Sequence, residues 1–263
     1  MRWPPVWRCH MAEEKDRNED RKTFARRSHR RGGGRGGRRG ERRQRFEEEK
    51  EEWLPKTNLG KDVLKGKYAS IDDILEKGIV ILEPQIIDTL VPNIKEEVVY
   101  VGGSPGKGGG IRRTATKRTA RMHKSGRRFK LTAVVAIGNE DGVLGLGKAT
   151  SREHRVALEK AAQQAKLGIT RVRRGCGSWE CGCGGDHSIP FKSTAKNSSV
   201  TVELLPAPKG TGIVADETTK AILKLAGLKD VWVRTKGQTS TRGNLAFAVF
   251  DAIKNLNRTK GDL

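Results

Sequence analysis

The run FKLTAVVAIGNEDGVLGLGK, residues 129–148, constrains the fold of this chain more than any other stretch. Phe129–Ile137 is apolar and β-branched enough for a strand, Asn139–Gly142 (NEDG) is a hairpin turn signal, and Val143–Lys148 returns as a second strand. Ser151 then caps a helix to about Leu167. Its Leu158, Ala161, Ala162 and Ala165 recur at i, i+3, i+4 and i+7, and Gly168 ends it. A strand hairpin followed by a helix is an α+β unit.

A second unit follows. Ile169–Arg173 reads as a strand, and a cysteine-rich loop comes next. Ser188–Thr194 and Ser199–Leu205 read as two strands across a polar turn, stopped by Pro206-Ala207-Pro208. Asp216 caps a helix through Ile222, Leu225 and Ala226, closed by Gly227, and Val231–Arg234 is a short strand. The last helix, about Thr241–Leu256, carries Leu245, Ala248, Val249, Ala252, Ile253 and Leu256 in one stripe, which is core and not a cofactor box. Lys209-Gly210-Thr211-Gly212 has two readings, an anion-binding nest or a tight turn with glycine at positive φ.

On the N-terminal side, FEEEKEEW (residues 46–53) looks like a short charged helix that WLPKTNLG (53–60) breaks. Ser70 caps a helix over Ile71–Lys77, with Asp72 and Asp73 in its first turn and Gly78 after it. Ile79, Val80, Ile81 and Leu82 form an apolar strip, and Pro84 starts a second short helix through Ile86, Ile87 and Leu90. These pieces are expected to pack on the body or on a neighbouring protein.

Charge narrows the function. The chain has 263 residues, enough for one or two domains, and a net charge of +22, which calls for a polyanionic partner such as nucleic acid or an acidic membrane. No run of about 18 apolar residues exists, so no helix is expected to span a bilayer. Residues 1–45 carry 16 Lys and Arg against 6 Asp and Glu, and residues 101–130 carry 10 against none, whereas residues 46–100 are acidic. Residues 26–45 hold ten Arg and six Gly. Such a segment cannot bury enough apolar surface to offset its conformational entropy; it reads as a disordered tail suited to phosphate contact, against a plain solubilising tail. The organisation read here is a tail over 1–45, an extension with short helices over 46–100, a basic loop over 101–126, a first domain over 127–168 and a second over 169–263 with its cysteine loop at 175–187.

GGSPGKGGG (102–110) invites a phosphate-loop reading that fails, because the required Gly and Ser/Thr positions hold Val101 and Gly108. A flexible basic loop is left. His123, Lys124, Arg127, Arg128 and Lys130 cluster around Ser125-Gly126, where backbone can approach phosphate closely. With Arg112, Arg113, Lys117, Arg118 and Arg121 they are the candidate RNA-binding residues, positioning the protein on phosphates and 2′-hydroxyls without reading sequence; a solvated loop is the competing reading. Arg171 and Arg173 share one face of a strand, with RNA contact and a protein-facing salt bridge both open.

The cysteine loop RGCGSWECGCGGDH (174–187) spaces Cys176, Cys181, Cys183 and His187 as C-x4-C-x-C-x3-H. Four thiolate or imidazole donors can close a tetrahedral zinc shell and leave no position for substrate, so a structural zinc clip is the expectation. A metal-free glycine-rich loop and a thiol redox site are the alternatives. The opening MRWPPVWRCH lacks the apolar centre and cleavage site of a signal peptide, and Met11 is a second candidate start, which intact mass would settle. An odd, clustered cysteine trio without an export signal reads as metal or redox chemistry rather than a disulfide framework. A zinc-dependent RNA enzyme is disfavoured: neither a deaminase signature nor HExxH is present, and no thioredoxin-like CxxC occurs.

Several segments carry a family resemblance. SGRRFKLTAVVAIGNEDGVLGLGKA (125–149) and LLPAPKGTGIVADETTKAILKLAGLKDVWVRTKGQT (204–239) resemble the universal small-subunit ribosomal protein S-five family. RGCGSWECGCG (174–184) and WLPKTNLG (53–60) are similar to its archaeal and eukaryotic branch, the cysteine version being archaeal in type. The match covers about residues 53–257; the insertion 101–120 and the leader 1–10 depart from the pattern. The resemblance implies an α+β fold with a double-stranded-RNA-binding-like first domain, a small sheet with a helix on one face. The second domain would be a left-handed βαβ-type two-layer domain. It also implies a non-enzymatic, cytoplasmic role in the small ribosomal subunit: binding ribosomal RNA, supporting the messenger RNA entry channel and translational accuracy. The implied neighbours are the S-four, S-three and S-eight proteins, with no membrane. The alternative is a zinc-binding RNA-associated protein outside the ribosome.

Overall fold

Thirteen residues of one strand, Gly126–Gly138, organise the first half of the molecule. The structure is a computed structural model that describes residues 53–106 and 108–258. The tail over 1–45, and the helix read over 46–53 apart from Trp53, lie outside the described residues. Three short helices come first: α1 (Asn58–Leu64), α2 (Ile71–Glu76) and α3 (Gln85–Leu90). They are followed by β1 (Lys95–Val99), β2 (Gly102–Pro105), β3 (Ile111–Thr114), β4 (Thr116–His123), β5 (Gly126–Gly138) and β6 (Val143–Ser151). Helix α4 (His154–Leu167), β7 (Thr170–Arg171), β8 (Ser193–Asn197), β9 (Val200–Pro206) and β10 (Ile213–Val214) come next. Helix α5 (Glu217–Leu225), β11 (Val231–Gly237) and α6 (Arg242–Asn255) complete the chain of elements.

The first sheet runs β1-β5-β6-β7, all antiparallel, with β4 also paired to β5. One edge of β5 is divided: β4 takes it from Gly126 to Ala133, and β1 takes it from Val134 to Gly138. Its other edge meets β6 only from Leu131 onward. Residues 119–130 therefore leave the sheet as a two-stranded arm, rooted where Thr116–Arg118 pair with Leu131–Ala133. The apolar stretch Ala133–Ile137 is continuous rather than alternating because both faces are covered. Val134 and Ala136 join the core shared with the second domain, and Ala133, Val135 and Ile137 are buried on the opposite face. Helix α4 packs so closely on β6 that a Cβ on Gly147 would stand 2.2 Å from the Ala161 carbonyl oxygen, which is why glycine sits there.

Its buried seam is Ala157, Ala161 and Ala165, set one residue off the stripe read through Leu158 and Ala162; only small side chains allow this approach. The helix also begins later than the sequence suggests. Ser151 is not its cap but the last residue of β6, paired with Leu131, and the turn starts after Glu153.

The second sheet has the order β10-β11-β9-β8, and β10 and β11 run parallel with α5 between them, a βαβ crossover. Asp216 caps α5 through its Oδ2, which accepts from the Thr218 amide. Helix α6 lies on β8 and β9 and buries Leu245, Ala248, Val249, Ala252 and Ile253, with Leu256 just past its end. Each fully buried Leu or Ile contributes roughly 1.5–3 kcal/mol. The fold is thus α+β, with the small sheet and helix followed by a two-layer βαβ-type domain.

The two sheets are joined through one core containing Val99, Val134, Leu144 and Leu146 of the first and Val202, Leu223, Val231 and Leu245 of the second. At its rim the hairpin turn meets the end of α5, where the Glu140 amide donates to the Leu225 carbonyl at 3.0 Å.

The residues read as a basic loop over 101–126 contain β2, β3 and β4. β4 has one buried residue in eight, so apolar periodicity gives no sign of it. Helix α1 begins inside the segment read as a breaker and runs past it to Leu64. Thr57 caps it, accepting from the Gly60 amide at 3.1 Å, and Gly60 falls in the first turn, where its missing side chain costs little. The Ser70 cap of α2 agrees with the sequence reading.

Candidate RNA-facing arm and candidate metal centre

The register of the arm sorts its side chains into two faces, because directly opposed residues of an antiparallel pair project to the same side. Thr119 opposes Lys130, Arg121 opposes Arg128, and His123 opposes Gly126. With Lys117, one face therefore carries Lys117, Arg121, His123, Arg128 and Lys130. Ala120 opposes Phe129, Met122 opposes Arg127, and Arg118 opposes Leu131. The second face is mixed: the Arg118 guanidinium lies 3.6 Å and that of Arg127 5.2 Å from the Phe129 ring centroid. Met122 beside them is 78% exposed. Gly126 has φ +103 at the tip, and the Arg128 Nη2 donates to Ser125 Oγ at 2.8 Å.

Arg112 and Arg113 lie exposed on β3, which pairs with β2. Lys124 is exposed at the arm's turn. The structure thus brings the candidate cations of 117–130 onto the β4–β5 pair, Lys117 and Arg118 at the root of the projecting arm and the others along it. Arg171 is placed apart from it, with Nη1 2.7 Å from Glu76 Oε1 and Nε 3.8 Å from Asp72 Oδ1, on the salt-bridge side of the two readings. Arg173 is half-buried. Phe129 and Met122 escaped the sequence reading as arm residues, since nothing but register separates the two faces.

The cysteine loop is closed at its base by reciprocal Gly175–Ser188 backbone hydrogen bonds of 2.9 and 3.0 Å. The Gly177 amide donates to the Ile189 carbonyl, and a Cβ on Gly177 would stand 2.1 Å from the Pro190 oxygen. Beyond that base, no residue from 176 to 186 is buried, and Trp179 at the tip is 92% exposed. Yet the donor atoms of Cys176, Cys181, Cys183 and His187 converge, all within 4.8 Å of one another. Cys181 Sγ lies 3.3 Å from Cys183 Sγ and 3.7 Å from His187 Nε2, and Cys183 Sγ lies 3.6 Å from Cys176 Sγ. All three are free thiols.

Amides of Lys209 and Cys183 donate toward Cys181 and lower its pKa to about 6, whereas desolvation pushes Cys176 up, with its sulfur neighbours adding to the rise. The other ring nitrogen of His187, Nδ1, meets Asp230 Oδ2 at 2.9 Å, both side chains buried. Asp230 Oδ1 accepts from the amides of Gly210 at 3.1 Å and Gly212 at 2.8 Å. Of the two readings of Lys209–Gly212, the geometry combines both: the glycines do take positive φ, and the nest they form is filled by the protein's own carboxylate. Asp230 carried no signal in the sequence, because it lies 43 residues from His187.

Comparison with known proteins now adds to this geometry. Residues 113–173 match the family described as ribosomal protein S5, N-terminal domain, and residues 195–263 match ribosomal protein S5, C-terminal domain. The chain is 48% identical over 210 residues to the small ribosomal subunit protein uS5 of Methanocaldococcus jannaschii, covering 80% of this chain and 90% of that one. The protein of the same name from Methanobrevibacter smithii is 46% identical over 210 residues, 80% of this chain and 92% of the relative. That from Staphylothermus marinus is 47% identical over 205 residues, 78% and 89% of the two. The two joined α+β domains define a two-domain ribosomal protein. The chain belongs to the ribosomal protein S5 (uS5) family, in its archaeal form.

Proposed function

We propose that this protein is a non-enzymatic structural constituent of the small ribosomal subunit, in the cytoplasm, where its arm binds ribosomal RNA. Family membership carries the ribosomal part of the reading and sets aside a free RNA-associated protein. One observation carries the RNA part: residues 101–130 hold 10 Lys and Arg and no acidic residue, and 119–130 project as an arm. The face with Lys117, Arg121, His123, Arg128 and Lys130 is suited to phosphates, and Lys124, Ser125 and Gly126 at its tip let backbone approach them. Arg112 and Arg113, exposed on β3, add two further cations to the proposed RNA-binding set.

The family resemblance extends the reading to a place at the messenger RNA entry channel, beside the S-four, S-three and S-eight proteins, and to a part in translational accuracy. The fold fits such a role, because β5 runs from the two-stranded basic arm into the sheet whose core is shared by both domains. Sedimentation of a native lysate at moderate salt tests the reading. The protein is expected in small-subunit particles; recovery at the top of the gradient would show it wrong.

A further inference from the structure

We propose that Cys176, Cys181, Cys183 and His187 hold a structural zinc ion, and that Asp230 and the Lys209–Gly212 loop complete the same centre. The donor set comes first. Three sulfurs and one imidazole nitrogen suit zinc, and four protein donors close its tetrahedron. With Zn–S bonds of about 2.3 Å, the edge of such a tetrahedron is about 3.8 Å. The observed separations of 3.3, 3.6 and 3.7 Å lie close to that edge. They also lie far beyond the ~2.05 Å of a disulfide bond.

The imidazole is oriented for this role. Asp230 is a buried carboxylate 2.9 Å from Nδ1, so Nδ1 carries the proton and donates it. That tautomer leaves the Nε2 lone pair facing the sulfurs, the arrangement by which a carboxylate fixes a metal-bound histidine. Asp230 is thus a positioning residue. Its second oxygen takes the Gly210 and Gly212 amides, and the Lys209 amide donates to Cys181.

Three amides of one loop are therefore directed at a ligand and at the carboxylate behind another ligand. The loop over 176–186 buries nothing of its own, so its order must come from a source other than apolar burial, and metal binding supplies one. The ion joins two loops that the chain separates by more than twenty residues, and occupancy of the site sets the order of both.

The test uses the full-length protein and zinc alone. Elemental analysis after gel filtration is expected to find about one zinc per chain. Competition with a chromophoric chelator is expected to show Asp230→Asn binding zinc about 10–100-fold more weakly. The cobalt-substituted protein reports the ligand field directly, and its visible bands are expected to shift in Asp230→Asn. Amide exchange needs no variant: Gly210 and Gly212 should exchange slowly in the zinc-loaded wild type and faster after chelation. Absence of zinc, or a disulfide among the three cysteines in protein purified under reducing conditions, would overturn the site. Zinc present with unchanged affinity in Asp230→Asn and unchanged exchange at Gly210 and Gly212 would overturn the part given to Asp230 and the loop.

Discussion

Arg118 lies over the ring of Phe129, its guanidinium carbon 3.6 Å from the centroid, across the diagonal of the β4–β5 arm. The contact divides the arm's cations by task. Arg118 is engaged with the ring, while Lys117, Arg121 and Lys130 stand on the opposite face, directed to solvent. Replacing Lys117, Arg121 and Lys130 with Gln is expected to weaken RNA binding and to flatten its salt dependence. Each lost phosphate contact should reduce the slope of log K against log salt by about 0.7–0.9. Phe129→Leu should weaken binding with the slope unchanged, because it removes a cation–π platform and no charge. Filter-binding titrations across a salt series separate the two outcomes.

Arg171 calls for a different expectation from the arm residues. Its ion pairs reach Glu76 and Asp72 of α2, with all three side chains about half exposed. Such a pair contributes about 0–1 kcal/mol. Arg171→Gln and Glu76→Gln are each expected to lower stability by no more than that, with a small coupling in the double-mutant cycle, and to leave RNA affinity unchanged. A loss of RNA affinity in Arg171→Gln alone would return this arginine to the RNA-binding set.

What could be read in advance followed where burial is one-sided. The stripe of α6 from Leu245 to Leu256 is visible because one helix face meets one sheet. The run Ala133–Ile137 is recognisable as a strand, yet its two faces serve different partners, and only the fold shows which. β4 left no trace in apolar pattern, since its pairing with β5 is a backbone property and its side chains are mostly solvated. The four metal-ligand candidates were legible because they sit within twelve consecutive residues. Asp230 was not, because a hydrogen bond across 43 residues depends on how the β9–β11 region folds back.

Gly227 marks where the two domains lock. It has φ +79, and a Cβ there would stand 2.4 Å from the Glu140 carbonyl oxygen, in the hairpin turn of the first domain. Gly66 has a similar φ of +75 but open space around it. Gly66→Ala should therefore lose only the left-handed backbone cost of about 1–2 kcal/mol. Gly227→Ala should lose that and the steric term together, at least about 2 kcal/mol. Urea denaturation of both variants measures the difference, which reports the tightness of the domain contact. Equal losses would mean that the turn yields.

Glu203 gives the fold a dependence on acid. On β9 it accepts from Lys236 Nζ at 2.7 Å, and Lys192 Nζ stands 3.3 Å from its other oxygen. Hydrogen bonding from Lys236, then from Lys192, holds its carboxyl below the ordinary glutamate value. A carboxylate with a depressed folded pKa stabilises the native state fully above its unfolded pKa, near 4.3. That contribution is lost as pH falls through this value and then through the lower folded one. Both lysines are more than half exposed, so screening by water and salt keeps the contribution small. Glu203→Gln is expected to be less stable than wild type at neutral pH, with the gap closing below about pH 4. Thermal melts across pH 3–7 at low salt measure the gap. A difference that stays constant over that range would assign the effect of Glu203 to packing between β8 and β11 rather than to its charge.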